Sequence, residues 1–113
     1  MEVLDDCATA IISLTKEELV RFNYQVGDTE GIVNYPLSMG KMVLSVLVTE
    51  RQGVIRFSFR SKGGFSVHEL AQKYFNGGGH TNAAGGTLTC SMDEALSLLH
   101  RILPEYREIL LQQ

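Results

Sequence analysis

The sequence predicts an α/β fold, one compact domain with a mixed sheet of four to five strands and helices packed against it. Three observations lead there. The chain has 113 residues and is 44% hydrophobic, enough for one sizeable core and too little for two. Apolar runs of strand length alternate with stretches of helical period, and each helical stretch opens on a capping residue. Turn-forming glycine, proline, asparagine and aspartate separate the two kinds of segment.

The first expected strand is Cys7 to Leu14, CATAIISL. Thr15 then stands as a helix N-cap with Glu18 at the third helical position, so KEELVRF begins a helix with Leu19 and Phe22 on one side, ended by Asn23 to Gly27. Asp28, Thr29 and Glu30 open a second short helix, DTEGIVNYP, expected to stop before Pro36. Asp28 and Glu30 read as helix-start acids rather than metal ligands, because no histidine or further carboxylate stands at a useful spacing. Asn34 and Tyr35 are candidates for the rim of a pocket.

Met42 to Thr49 is a strand with apolar residues on both faces, as expected near the centre of a covered sheet. Glu50 to Gly53 supply a turn into Val54 to Arg60, its antiparallel partner. Period-two alternation puts Ile55, Phe57 and Phe59 on one face and Arg56, Ser58 and Arg60 on the other. Ser66 and Glu69 form a capping-box pattern, with Phe65 placed to staple on Leu70, and Val67, Leu70, Ala71 and Tyr74 recur on one helical face of VHELAQKYF. His68 and His100 read as surface or structural residues. A final strand is expected at Thr87 to Cys90, then a helix capped by Ser91 with Glu94 in the box position. Pro104 interrupts that helix or starts another, PEYREILLQQ, whose Tyr106, Ile109, Leu110 and Leu111 complete the core or face another domain.

The chemistry concentrates in FNGGGHTNAAGG, Phe75 to Gly86. Gly77, Gly78 and Gly79 leave backbone open to a close approach, successive N–H groups there are able to converge on an anion, and His80 adds a donor that gains charge near neutral pH. The charge distribution supports an anionic ligand: residues 1–50 carry a net −5, residues 51–82 a net +4 and residues 83–113 a net −2. Arg60, at a strand end before Ser61, Lys62, Gly63 and Gly64, suits phosphate because its fork makes two charge-assisted hydrogen bonds at once. The expected phosphate site is therefore Arg60, Ser61, the Gly78 and Gly79 backbone and His80. No CxxC, HxxxH, HExxH or GxSxG spacing occurs, so no metal ligands or catalytic residues are assigned within this chain. Cys7 and Cys90 are expected as reduced thiols. No apolar run reaches the roughly 18 residues a membrane span needs, and no signal-like start is present, so the expected location is cytoplasmic with no membrane partner.

The stretch RFSFRSKGGFSVHELAQKYFNGGGHTNAAGGTL, with GDTEGIVNYPLSMGKMVLSVLVTE upstream, resembles the C-terminal DHH-associated domain of bacterial DHH-family phosphoesterases, the oligoribonuclease and 3′-phosphoadenosine-5′-phosphate phosphatase type in particular. The resemblance covers about Ala8 to Leu99. It implies that residues 1–113 form a substrate-binding lobe without the N-terminal catalytic DHH lobe, which would carry manganese. It further implies that Arg60 and His80 grip a substrate phosphate beside Ser61 and the Gly78 and Gly79 backbone. The implied substrates are short single-stranded RNA or nucleotide bisphosphates, the parent protein would be a phosphodiesterase, and the chain alone is expected to be inactive. A regulatory module for single-stranded nucleic acid or cyclic dinucleotide, without hydrolase activity, is the alternative. A third reading is a structural or homodimer-forming domain whose glycine–histidine loop merely turns, with the C-terminal run ILLQQ packed locally or against a neighbouring lobe.

Overall fold

A computed structural model of the chain describes residues 1–25 and 29–113. Its strands are β1 (Glu2–Leu4), β2 (Thr9–Leu14), β3 (Leu44–Arg51), β4 (Val54–Ser61), β5 (Gly78–His80) and β6 (Ala83–Leu88), and its helices are α1 (Lys16–Gln25), α2 (Thr29–Asn34), α3 (Val67–Tyr74), α4 (Met92–Ile102) and α5 (Arg107–Leu111). The six strands form one mixed sheet in the order β1-β2-β3-β4-β6-β5, more than the four to five expected, with β1 and β5 at its edges. Only β2 and β3 are parallel, and the connection between them is the helical crossover through α1 and α2 that a parallel pair requires.

Alternation along the central strands divides the core between two faces. Val46, Val48, Ile55, Phe57 and Phe59 join Val67, Leu70 and Ala71 of α3, Ala95, Leu99 and Ile102 of α4 and Leu110 of α5 in the main cluster. The rings of Phe57 and Phe59 both lie against Phe75, with centroids 4.5 and 4.9 Å away. On the other face Ile12 and Leu47 meet Val33 of α2 in a smaller cluster.

Several boundaries differ from expectation for local reasons. The run from Cys7 does not start as a strand: Asp5–Cys7 is a 3-10 turn, Ala8 takes a left-handed φ of 49°, and β2 begins at Thr9. Helix α1 continues through Asn23 to Gln25. The expected start of α2 at Asp28 lies outside the described residues, and its end runs into a 3-10 turn, Tyr35–Ser38, which accepts Pro36 in its first positions. The β3–β4 turn is tighter than expected, with Gln52 and Gly53 at φ of 50° and 79° between Arg51 and Val54. Pro104 lies in a 3-10 turn, Leu103–Tyr106, that bends the chain from α4 into α5. The carboxyl-terminal run is divided, with Leu110 buried and Ile109 and Leu111 exposed.

Both predicted boxes at Thr15 and Ser91 form. Glu18 N–H donates to Thr15 Oγ1 at 3.2 Å while Glu18 Oε1 accepts from Thr15 N–H at 2.9 Å, and Glu94 with Ser91 does the same at 3.1 and 3.0 Å. At α3 only the first half forms, Glu69 N–H to Ser66 Oγ at 3.2 Å.

Candidate functional site

The glycine–histidine segment is a β-hairpin rather than a loop leading to a strand at Thr87. Helix α3 closes on Ala71, whose carbonyl accepts from Phe75 N–H at 3.0 Å and Gly77 N–H at 3.1 Å, with Asn76 between them at a left-handed φ of 54°. The chain then enters β5, turns at Thr81 and Asn82 and returns as β6. Glycine is required where the strands and the helix end meet: a Cβ on Gly77 would lie 1.9 Å from the Gly85 carbonyl oxygen, and one on Gly86 would lie 2.3 Å from that of Phe75.

Strand register brings the two main candidates together. Arg60 pairs with Ala83 across β4 and β6, and His80 pairs with the same Ala83 across β6 and β5. Directly paired residues share a sheet face, so Arg60, Ala83 and His80 form one row about 10 Å wide, two strand spacings. That face carries α2 over β3 and the Arg60 end of β4 and is open beyond it: Arg56, Thr87 and His80 are exposed, and Ser58, Arg60 and Ala83 are half-buried. His80 makes no side-chain hydrogen bond among the described residues. The result is an open half-face with a guanidinium on one side, a small alanine in the middle and an imidazole on the other.

Arg60 is already oriented. Its Nη1 donates to the Phe59 carbonyl at 2.9 Å and its Nη2 bonds the carboxylate of Glu30; the Arg60 side chain is 16% exposed and that of Glu30 65%. A guanidinium has five N–H donors, and those not aimed at Phe59 and Glu30 remain for an anion. Glu30, read from sequence as a solvated helix-start acid, is thus the partner of the principal candidate. On the next row position Ser45 of β3 pairs with Arg60, and its fully buried hydroxyl has no hydrogen-bond partner among the described residues.

The remaining candidates are placed differently from one another. Ser61 is buried, and its hydroxyl donates to the Phe65 carbonyl at 2.8 Å and accepts from Asn82 Nδ2 at 3.0 Å. Asn82 also donates to the Gly63 carbonyl at 3.1 Å, so the pair ties the β5–β6 turn to the turn after β4. Of the glycine N–H groups, that of Gly77 closes α3 and that of Gly79 donates to His68 Nδ1 at 2.9 Å. Lys62, two residues past Arg60, reaches the Leu37 and Gly40 carbonyls at 2.9 and 3.3 Å and pins the turn after α2. Of the two rim candidates, Tyr35 is exposed at the start of that turn and Asn34 Nδ2 donates to the Glu30 carbonyl at 3.0 Å. His100 bonds Glu2 at 2.9 Å, far from the row in sequence and element. Cys7 and Cys90 are free thiols, both raised in pKa by burial first, then by Asp6 and Glu94 respectively. The contacts of Asn82, His68 and Glu30 were missed because each joins residues from 11 to 30 positions apart, with no local pattern to announce it.

Fold and row together define a class: an α/β domain in which a glycine-rich hairpin, ending in histidine, forms the outer edge of a mixed sheet. Comparison with known proteins identifies the family. Residues 8–105 match the DHHA1 domain, and the chain belongs to that family. It is 37% identical over 82 residues to the bifunctional oligoribonuclease and PAP phosphatase NrnA of Thermus thermophilus, an alignment covering 72% of this chain and 23% of that protein. Among solved structures it superposes on an exopolyphosphatase-related protein from Bacteroides fragilis with a TM-score of 0.88 and 43% identity, covering 96% of this chain and 32% of the other. The pGpG-specific phosphodiesterase PggH from Vibrio cholerae shares the fold, with a TM-score of 0.61 at 20% identity, covering 92% of this chain and 34% of the other. The chain thus spans about a quarter to a third of these relatives.

The described residues contain no group of three or more His, Cys, Asp or Glu placed to hold a metal ion. None of the described helices is long and apolar enough to cross a membrane.

Proposed function

We propose that this domain is the substrate-binding lobe of a DHH-family phosphoesterase acting on short oligoribonucleotides or nucleotide bisphosphates, and that the Arg60–Ala83–His80 row grips a substrate phosphate. The observation that carries the proposal is the row itself: two residues 20 positions apart, chosen for their phosphate chemistry, share one Ala83 partner on a bare half-sheet. The family match and the oligoribonuclease relative support the substrate class. In this reading Arg60 supplies the free edge of its guanidinium, His80 a second donor from the far side of Ala83, and the Gly78 and Gly79 backbone borders the anion. Ser61 contributes by holding the β5–β6 turn against the end of β4. Hydrolysis belongs to an N-terminal DHH lobe, where manganese would be held, and this chain's part is to bind and orient the nucleotide.

Calorimetric titration of the domain with a 5′-phosphorylated diribonucleotide, a nucleoside 3′,5′-bisphosphate and a cyclic dinucleotide tests the reading. The first two are expected to bind more tightly than the third. Preference for the cyclic dinucleotide would instead support a regulatory module, and no binding of any would remove the phosphate site.

A further inference from the structure

His68 projects from the first turn of α3 onto the backbone of β5. Gly79 donates its N–H to His68 Nδ1 at 2.9 Å. A Cβ placed on Gly78 would lie 3.2 Å from both Nδ1 and Cε1 of the same ring, so the imidazole lies flush against the bare backbone of the preceding residue. Because Nδ1 accepts, the neutral ring carries its hydrogen on Nε2.

The contact falls on the short outer strand of the hairpin. β5 is three residues long, has β6 as its single strand neighbour and is the outer edge of the sheet. Two of its residues are glycines, which lose the most conformational freedom on ordering. Its ends are fixed: Gly77 N–H bonds the Ala71 carbonyl at 3.1 Å, and beyond the strand Val67 N–H bonds the Thr81 carbonyl at 2.8 Å. Between those anchors His68 gives the edge of β5 a side-chain acceptor at Gly79, the residue before His80.

We propose that His68 is a positioning residue for the phosphate hairpin: its Nδ1 latches Gly79 to α3 and so fixes the backbone that aims His80 across Ala83 towards Arg60. The importance of the latch for affinity rests on the phosphate reading of the row, whereas the latch itself does not. A hydrogen bond that only stabilised the fold would affect melting. A latch also affects the local order of Gly79 and His80, and any side chain that restores the acceptor repairs it.

The test compares wild type, His68→Ala and His68→Asn, the last because an asparagine Oδ1 presents an acceptor close to the place of Nδ1. Amide hydrogen exchange of Gly79 and ring order of His80 are read by nuclear magnetic resonance without ligand, and affinity for a 5′-phosphorylated diribonucleotide by calorimetry. In His68→Ala the Gly79 amide is expected to exchange about tenfold faster with global stability little changed, the His80 ring to lose order, and affinity to fall roughly three- to tenfold. His68→Asn is expected to restore all three. A protected Gly79 amide in His68→Ala, or faster exchange there with His80 order unchanged, overturns the proposal. If wild type itself binds no diribonucleotide, the phosphate reading fails while the exchange and ring-order comparison still decides the latch.

Discussion

Arg60 and His80 meet across a single residue: each is the cross-strand partner of Ala83, from opposite sides. The sequence offers both as phosphate ligands, and the hairpin brings them into one row. Truncating one ligand of a desolvated, charge-assisted contact costs roughly 2–5 kcal/mol, against about 0–1 for a loose surface pair. Arg60→Ala or His80→Ala is therefore expected to weaken nucleotide binding at least about tenfold with the fold intact, and exposed Arg56→Ala to change it little. Ala83→Leu, which fills the middle of the row, is expected to match the ligand deletions. Calorimetry with circular dichroism as the folding control checks all four.

Glu30 sets a second expectation. Its carboxylate holds one end of the Arg60 guanidinium, and a phosphate bound in the proposed row would share that positive charge with it. Glu30→Gln keeps the shape and removes the negative charge, so affinity for a nucleoside 3′,5′-bisphosphate is expected to rise severalfold at low salt, with the gain shrinking as salt is added. Weaker binding in Glu30→Gln would mean that the carboxylate's orienting role outweighs its competition.

The parts of this architecture that were legible in sequence are those with a local rule behind them. Ile55, Phe57 and Phe59 alternate with Arg56, Ser58 and Arg60, and the strand follows the alternation. Thr15 with Glu18 and Ser91 with Glu94 sit three apart and form both halves of their boxes. The same spacing at Ser66 and Glu69 yields only one half, so the pattern marks a helix start without fixing where the acid goes. The β5–β6 hairpin was hidden because glycine and alanine carry no strand pattern; what makes it a strand pair is the approach of Gly77 and Gly86 to neighbouring backbone, a relation between distant residues. β1, three residues long, is too short to show a period. At the candidate site, the sequence nominates Arg60 and His80 by residue type alone, whereas the commitments of Ser61 to Phe65 and Asn82 arise only on folding.

Two serines with opposite circumstances give opposite stability expectations. Ser61 Oγ is buried and serves Phe65 and Asn82, so Ser61→Ala leaves both without that partner and is expected to cost about 1–3 kcal/mol. Ser45 Oγ is buried with no partner among the described residues, so Ser45→Ala is expected to be neutral or to stabilise by about 1 kcal/mol. Urea unfolding of the two variants measures both, and a strongly destabilised Ser45→Ala would reveal a partner for that hydroxyl.

The box at α4 predicts a pH signature. Glu94 is held below the ordinary glutamate range by the backbone N–H of Ser91 first and its hydroxyl second. A carboxylate with a depressed folded-state pKa contributes stability above its unfolded value and loses it as pH falls through the folded one. The gap in unfolding midpoint between wild type and Glu94→Gln is therefore expected to be present near neutral pH and to close from about pH 5 downwards. A gap that is constant over that range would assign the effect to helix propensity.

The central claim, that a nucleotide phosphate lies in the row shared by Arg60, Ala83 and His80, is tested most directly by nuclear magnetic resonance mapping of the labelled domain during titration with a 5′-phosphorylated diribonucleotide. The account predicts saturable shifts at the Arg60 side-chain Nε, the His80 ring and the amides of Gly78, Gly79 and Ala83, all giving one dissociation constant. Shifts confined to other parts of the surface, such as the groove of about 420 Å³ lined by Lys41, Lys62 and Leu111, with the Arg60 and His80 signals unmoved at saturation, would contradict it.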